Sequence, residues 1–105
     1  METQKNTEKV SNAPLLVYFS NQNCSVCHAL KPKIEAMITQ HFPGMRFLDI
    51  DCRAEPARAA QHTVFTVPTV IVYFDNREYI RKSRNFGVVQ LQSEIEKLYA
   101  MFSTA

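Results

Sequence analysis

Two cysteines with two residues between them, Cys24 and Cys27 in "NCSVCHALKP", stand where an apolar run gives way to a helical pattern. The spacing admits a dithiol–disulfide couple, half of a metal site, or two buried cysteines with no chemistry. Residues three apart on a helix share a face, with Cβ atoms about 5–6 Å apart. A disulfide joins Cα atoms about 4.4–6.8 Å apart, so the two thiols are within reach of a bond. If a strand ends near Ser20 and the helix begins near Cys24, the first sulfur meets unpaired N–H groups and the positive end of the helix. Both stabilise a thiolate. Cys24 is then the attacking sulfur, and Cys27, one turn in and more buried, resolves the mixed disulfide. His28 follows Cys27 directly. Charged, it would favour a nearby thiolate, although an exposed helix position is the simpler reading.

The metal alternative draws on Cys24, Cys27, His28 and Cys52 as zinc-type ligands. Adjacent Cys27 and His28 point to different helix faces, and no second C-x-x-C or H-x-H appears. No metal and no cofactor is expected. Cys52 follows "DID" on the loop after a strand, where it reads as a small structural or incidental cysteine rather than a regulatory thiol.

The elements that must hold these residues follow from periodicity. "PLLVYFS" (14–20) is a continuous apolar run of β-formers, which suits a strand covered on both faces. Alternation puts Leu16 and Tyr18 on one side, Val17 and Phe19 on the other. From Cys24 to about His41, Leu30, Ile34, Met37 and Ile38 recur at helical spacing, with Pro32 expected to kink the helix. "MRFLDID" (45–51) reads as a second strand, exposed at a sheet edge where it could pair with a second copy. "RAEPARAAQHT" (53–63) reads as a short helix with Pro56 in its first turn. "PTVIVYF" and "EYIRKSR" flank "DNR" as a hairpin, and Leu91, Ile95, Leu98 and Phe102 form one stripe of a closing helix over 88–102. The order (α)βαβαββα predicts an α/β domain with helices on both faces of a central mixed sheet. Residues 1–12 read as a polar lead-in, weakly helical, and 13–103 as the domain.

Composition bounds the function. At 105 residues, with 46% hydrophobic and 21% charged residues, the chain supports one modest core. A net charge of +2 is too small to argue for nucleic acid or an acidic membrane surface, and no apolar run is long enough to span a bilayer. "REYIRKSR" (77–84) is locally basic and reads as a solvated strand face. The polar N-terminus lacks the apolar stretch of a signal peptide, so the expected location is cytoplasmic. Three cysteines are too few for a disulfide scaffold, and in a reducing compartment a C-x-x-C points to redox or metal chemistry.

From about residue 13 to 103 the chain resembles thioredoxin. The likeness is carried by "LLVYF" before the cysteines, "CSVCHALKP" with its proline five residues after Cys27, "FTVPTVIVYF", and the lone Gly87 before the last helix. The resemblance implies a thioredoxin-like fold, here with a four-stranded sheet because the family's first strand has no counterpart. It implies that the Val67–Pro68 bond is cis and faces the cysteines, and that Val67 offers its backbone to an extended client segment. Asn23, Ser25, Val26, Val67, Pro68 and Gly87 then form the client-binding surface.

Several positions depart from the family. Asn23 stands where tryptophan is usual, and Ser25-Val26 where the family has Gly-Pro. Tyr18 replaces a buried aspartate that helps deprotonate the resolving sulfur, and Phe47 replaces the lysine near it. A phenol with an ordinary pKa of about 10 is a poor base. It is expected to donate a hydrogen bond to a Cys27 thiolate, leaving solvent or His28 to take the proton and making resolution slow. The function expected is a thiol–disulfide oxidoreductase acting on protein disulfides in the reducing direction, with thioredoxin reductase or glutathione as electron donor. Its partners are disulfide-containing proteins, not nucleic acid or membrane, and the chain is a monomer or weak homodimer. A thioredoxin-fold adaptor with little redox turnover is the alternative.

Overall fold

A computed structural model describes residues 13–103; the polar lead-in lies outside the described residues. Strand β1 (Leu15–Ser20) is followed by helix α1 (Ser25–His41), strand β2 (Arg46–Asp51), helix α2 (Pro56–Gln61), strands β3 (Thr69–Phe74) and β4 (Arg77–Ser83), and helix α3 (Val88–Ser103). The strands form one sheet in the order β2-β1-β3-β4. β1 runs parallel to β2 and antiparallel to β3, and β3 antiparallel to β4, so the sheet is mixed. The element order matches the expectation from periodicity, with α2 shorter than the stretch 53–63. Pro56 opens that helix, and its fixed φ suits the first helical position, so residues 53–55 stay in the turn.

β1 is apolar throughout because both of its faces are covered. Leu16 and Tyr18 join a cluster with Ile34 and Ile38 of α1, Val70 and Val72 of β3, and Leu91, Ile95 and Leu98 of α3. Val17 and Phe19 join Ile50, Ala59, Val64 and Ile71 on the opposite face, under α2. Full burial of each large side chain contributes about 1.5–3 kcal/mol, which holds β1 firmly in the core. β2 lies at the sheet edge among the described residues, as expected, with Arg46 and Asp49 exposed. α1 runs through Pro32, whose missing N–H leaves the carbonyl four residues earlier without its helical donor.

Among the described residues three connections carry left-handed residues, one of them at Arg84 (φ 63°) just after β4. Asp75 and Asn76, at φ 54° and 66°, join β3 to β4 in a two-residue turn whose twist matches that of the strands. Thr63, at φ 58°, lies in the loop between α2 and β3. Arg81 of β4 reaches across to this loop, donating to the carbonyls of His62 (2.8 Å) and Thr63 (3.2 Å) while its guanidinium pairs with Glu78.

Candidate active site

Cys24 ends the loop after β1 and is the N-cap of α1, with extended backbone at φ −100° and ψ 101°. Its Sγ accepts the Cys27 N–H at 3.1 Å, which satisfies one of the donors a helix start leaves without a partner. Its own N–H donates to Asn21 O at 3.2 Å, and its carbonyl receives the His28 N–H at 3.2 Å. Cys24 and Cys27 form a disulfide with Cα atoms 5.2 Å apart. The two sulfurs differ in access: Cys24 is partly exposed, Cys27 only 1% exposed.

Around the first sulfur the surface is open. Asn23 and Ser25 are exposed, and Val26 is 59% exposed in the first turn of α1. The Asn23 N–H donates to Asn21 Oδ1 at 2.9 Å, which tightens the loop between β1 and the helix. The Val67–Pro68 peptide bond is cis, with Pro68 buried. Val67 and Cys24 both pack against the apolar cluster on the α1 side of the sheet. The Pro68 carbonyl is taken by the Arg84 N–H at 2.8 Å. Gly87 precedes α3 at ordinary φ, and a Cβ there would meet nothing within 4 Å, so the turn itself does not require glycine.

Beneath Cys27 the surroundings are closed and aromatic. Tyr18 is fully buried, and its hydroxyl donates to the Cys27 carbonyl at 2.7 Å. The expected partner is a Cys27 thiolate; in the disulfide form the phenol rising from β1 reaches the helix backbone. Phe47, its neighbour on β2, stacks on the Tyr18 ring at 6.2 Å between centroids. Burial, aided by the negative charge of Asp49, pushes the Tyr18 pKa up to about 12. At neutral pH this phenol is a fixed donor and not a base.

Two charged residues that sequence reasoning passed over complete this floor. Lys31, one turn beyond Cys27, pairs with Asp49 at 2.7 Å, and Asp49 sits opposite Tyr18 in the β1–β2 register. The hydrogen bond to Asp49 raises the Lys31 pKa and keeps the ammonium charged. A cavity of about 280 Å³ opens among Tyr18, Cys27, His28, Lys31 and Asp49. The signal was present as the i,i+4 spacing of Cys27 and Lys31 and as alternation along "LDID", but only the parallel register joins the two. His28 is exposed, with Nε2 2.9 Å from the Gln22 carbonyl.

Cys52 is a free, partly buried thiol whose pKa is raised by burial and by Asp51. It lines a second cavity with Asn21, Val64, Phe65 and Val67, and Cys27 is not among that cavity's walls. Phe65, 80% exposed at its rim, is another residue the sequence did not single out. Among the described residues no three His, Cys, Asp or Glu side chains gather as metal ligands, and no helix is long and apolar enough to cross a membrane.

Comparison with known proteins agrees with this geometry. The thioredoxin family model matches residues 1–97. A thioredoxin-like protein of Bacillus subtilis, YdfQ, is 29% identical over 86 residues, covering 82% of this chain and 76% of that protein. A thioredoxin of Streptomyces clavuligerus is 35% identical over 63 residues, 60% of this chain and 58% of that one. The solved structure of thioredoxin 1 from Thermosipho africanus superposes with a TM-score of 0.77 at 36% identity, over 87% of this chain and 99% of that one.

Proposed function

The chain belongs to the thioredoxin family, and from that premise we propose that Cys24 and Cys27 exchange their disulfide and dithiol with protein disulfides, in the reducing direction. The family and a C-x-x-C pair at bonding distance support a thiol–disulfide oxidoreductase. One observation carries the assignment of roles. The Cys24 sulfur is the accessible one and already receives a helix N–H, while Cys27 is enclosed behind it. An N–H aimed at sulfur favours the thiolate over the thiol.

The Cys24 thiolate attacks one sulfur of a client disulfide and expels the other as a thiolate. Cys27 then attacks Cys24 Sγ, closing Cys24–Cys27 and releasing the second client thiolate, so two electrons pass from the dithiol to the client. Asn23, Ser25, Val26 and Gly87 border the client's path, and Val67 offers its N–H and C=O to an extended segment, with Pro68 fixing the backbone beside it. Return to the dithiol needs a reductant, a thioredoxin reductase or glutathione, and the cytoplasm is the compartment in which such a cycle runs. The protein acts as a monomer, or as a weak dimer paired through β2.

Tyr18 favours the second reading, an adaptor with little turnover, because the group beneath Cys27 cannot accept a proton. Reduction of insulin disulfides with a thiol reductant separates the two. Catalysis by the wild type, abolished in Cys24→Ser, is expected; equal rates with and without the protein would leave the adaptor. Limiting iodoacetamide on the reduced protein at neutral pH should label Cys24 first, and preferential labelling of Cys27 would reverse the roles.

A further inference from the structure

Closing the disulfide requires the Cys27 thiol to lose a proton, and the surroundings of Cys27 restrict where that proton can go. Five titratable side chains line the cavity beside Cys27 along with Lys31: Tyr18 from β1, Asp49 and Asp51 from β2, His28 from α1, and Glu55 from the turn before α2. Four are engaged otherwise. Tyr18 is a hydrogen-bond donor to the Cys27 carbonyl. Asp51 Oδ1 accepts the amides of Arg53 at 2.9 Å and Ala54 at 3.2 Å, holding the turn after β2. Glu55 takes Arg58 at 3.0 Å. His28 is exposed on its helix, with Nε2 turned to Gln22 O. Asp49 differs. Its side chain is 33% exposed, its partner Lys31 lines the same cavity as Cys27, and its Oδ1 has only a 3.3 Å contact from the Ser20 hydroxyl.

We infer that Asp49, paired with Lys31, accepts the Cys27 proton across this cavity during closure of the mixed disulfide. The inference rests on the redox reading of the cysteines and deepens it. A cavity of this size with polar walls admits water, so the transfer needs no direct contact between sulfur and carboxylate. Before the step the charges are a carboxylate, an ammonium and a neutral thiol. After it they are a carboxylic acid, the same ammonium and a thiolate. Lys31 therefore changes counterion without moving its charge, and the net charge at the site is constant. The Cys27 thiolate then attacks Cys24 Sγ, the Cys24–client bond breaks, and the client sulfur leaves as a thiolate. The proton on Asp49 passes to that thiolate or to solvent, which restores the pair. No electrons move beyond the two exchanged in the disulfide.

The sign of one substitution separates proton acceptance from a field effect. Removing a negative charge near a thiol favours the thiolate, so if Asp49 acts only through its field, Asp49→Asn speeds closure. If Asp49 accepts the proton, Asp49→Asn slows it. The reduced protein, in excess over dithiobis(nitrobenzoate), releases one thionitrobenzoate when Cys24 attacks and a second when Cys27 closes the disulfide. Stopped-flow traces from pH 6 to 9 should show the second release about tenfold or more slower in Asp49→Asn at pH 7 and climbing more steeply with pH. The first release should be unchanged, and Asp49→Glu should recover much of the second. Lys31→Met should also slow the second release, whereas His28→Ala should leave it alone. A second release unchanged or faster in Asp49→Asn, or slowed instead by His28→Ala, overturns the inference and leaves the redox reading intact. Absence of the first release in the wild type would remove the redox reading itself, and this inference with it. Thermal unfolding of each variant separates loss of the fold from loss of the step.

Discussion

Cys24 and Cys27 share one bond and sit in two different environments. Around Cys24 the elements are backbone and surface: a helix start whose N–H meets the sulfur, and an exposed Asn23, Ser25 and Val26. Around Cys27 they are core: a fully buried Tyr18 tied to the helix carbonyl, Phe47 stacked on it, and an ion pair at the edge of the cavity. Cys24, in the attacking role proposed for it, draws on local geometry, the helix N–H that its sulfur accepts. Cys27, in the resolving role proposed for it, is surrounded by side chains drawn from three elements, Tyr18 of β1, Lys31 of α1 and Phe47 and Asp49 of β2. Attack and resolution can therefore vary independently, because different parts of the fold support them.

The comparison breaks most visibly at the cysteines themselves. Cys27→Ser should accumulate mixed disulfides with client proteins, seen as reductant-sensitive bands on non-reducing gels, while Cys24→Ser should form almost none. Equal trapping by both variants would mean that the two sulfurs are equivalent. Tyr18→Phe sharpens the comparison at an intermediate scale. Loss of a single hydrogen bond should lower stability by about 0.5–1.5 kcal/mol in denaturant unfolding, with the closure rate unchanged. The same variant carries a pH signature. Burial and Asp49 raise the Tyr18 pKa in the folded state to about 12, so the unfolded chain loses its phenolic proton at lower pH than the folded one. Stability attached to Tyr18 is complete below about pH 10 and is lost as pH rises through 12, and Tyr18→Phe should remove that share of the alkaline decline. The smallest effect is expected at Cys52, which lines a different cavity. Cys52→Ser should move the Cys24–Cys27 potential by less than about 30 mV in a glutathione titration; a larger shift would join two regions described here as separate.

Much of this was legible in the chain. Continuous apolarity over 14–20 marked a strand covered on both sides, and alternation put Tyr18 with Leu16 on one face and Val17 with Phe19 on the other, as the two clusters have it. The helix start at Cys24 followed from the change of period, and the hairpin from "DNR". What escaped depends on register. Lys31 and Asp49 carried no signal that joins them in the sequence, and they meet because β1 pairs with β2 so that Tyr18 faces Asp49. The partner of the Tyr18 hydroxyl in the disulfide form escaped for a related reason: the family pattern directs attention to the sulfur, whereas the phenol reaches the carbonyl. Phe65 was passed over because exposure, which is what distinguishes it, has no periodic signature in a loop.

The clasp of Arg81 on the carbonyls of His62 and Thr63 bears on how the loop before Val67 can be inherited. Thr63 is β-branched and holds a left-handed backbone, φ 58°, where glycine is the ordinary occupant. A single guanidinium from the edge of the sheet helps keep that conformation in place and is itself steadied by Glu78. Positions 63, 78 and 81 are thus coupled physically: loss of the arginine would remove support for the threonine, and glycine at 63 would make that support dispensable.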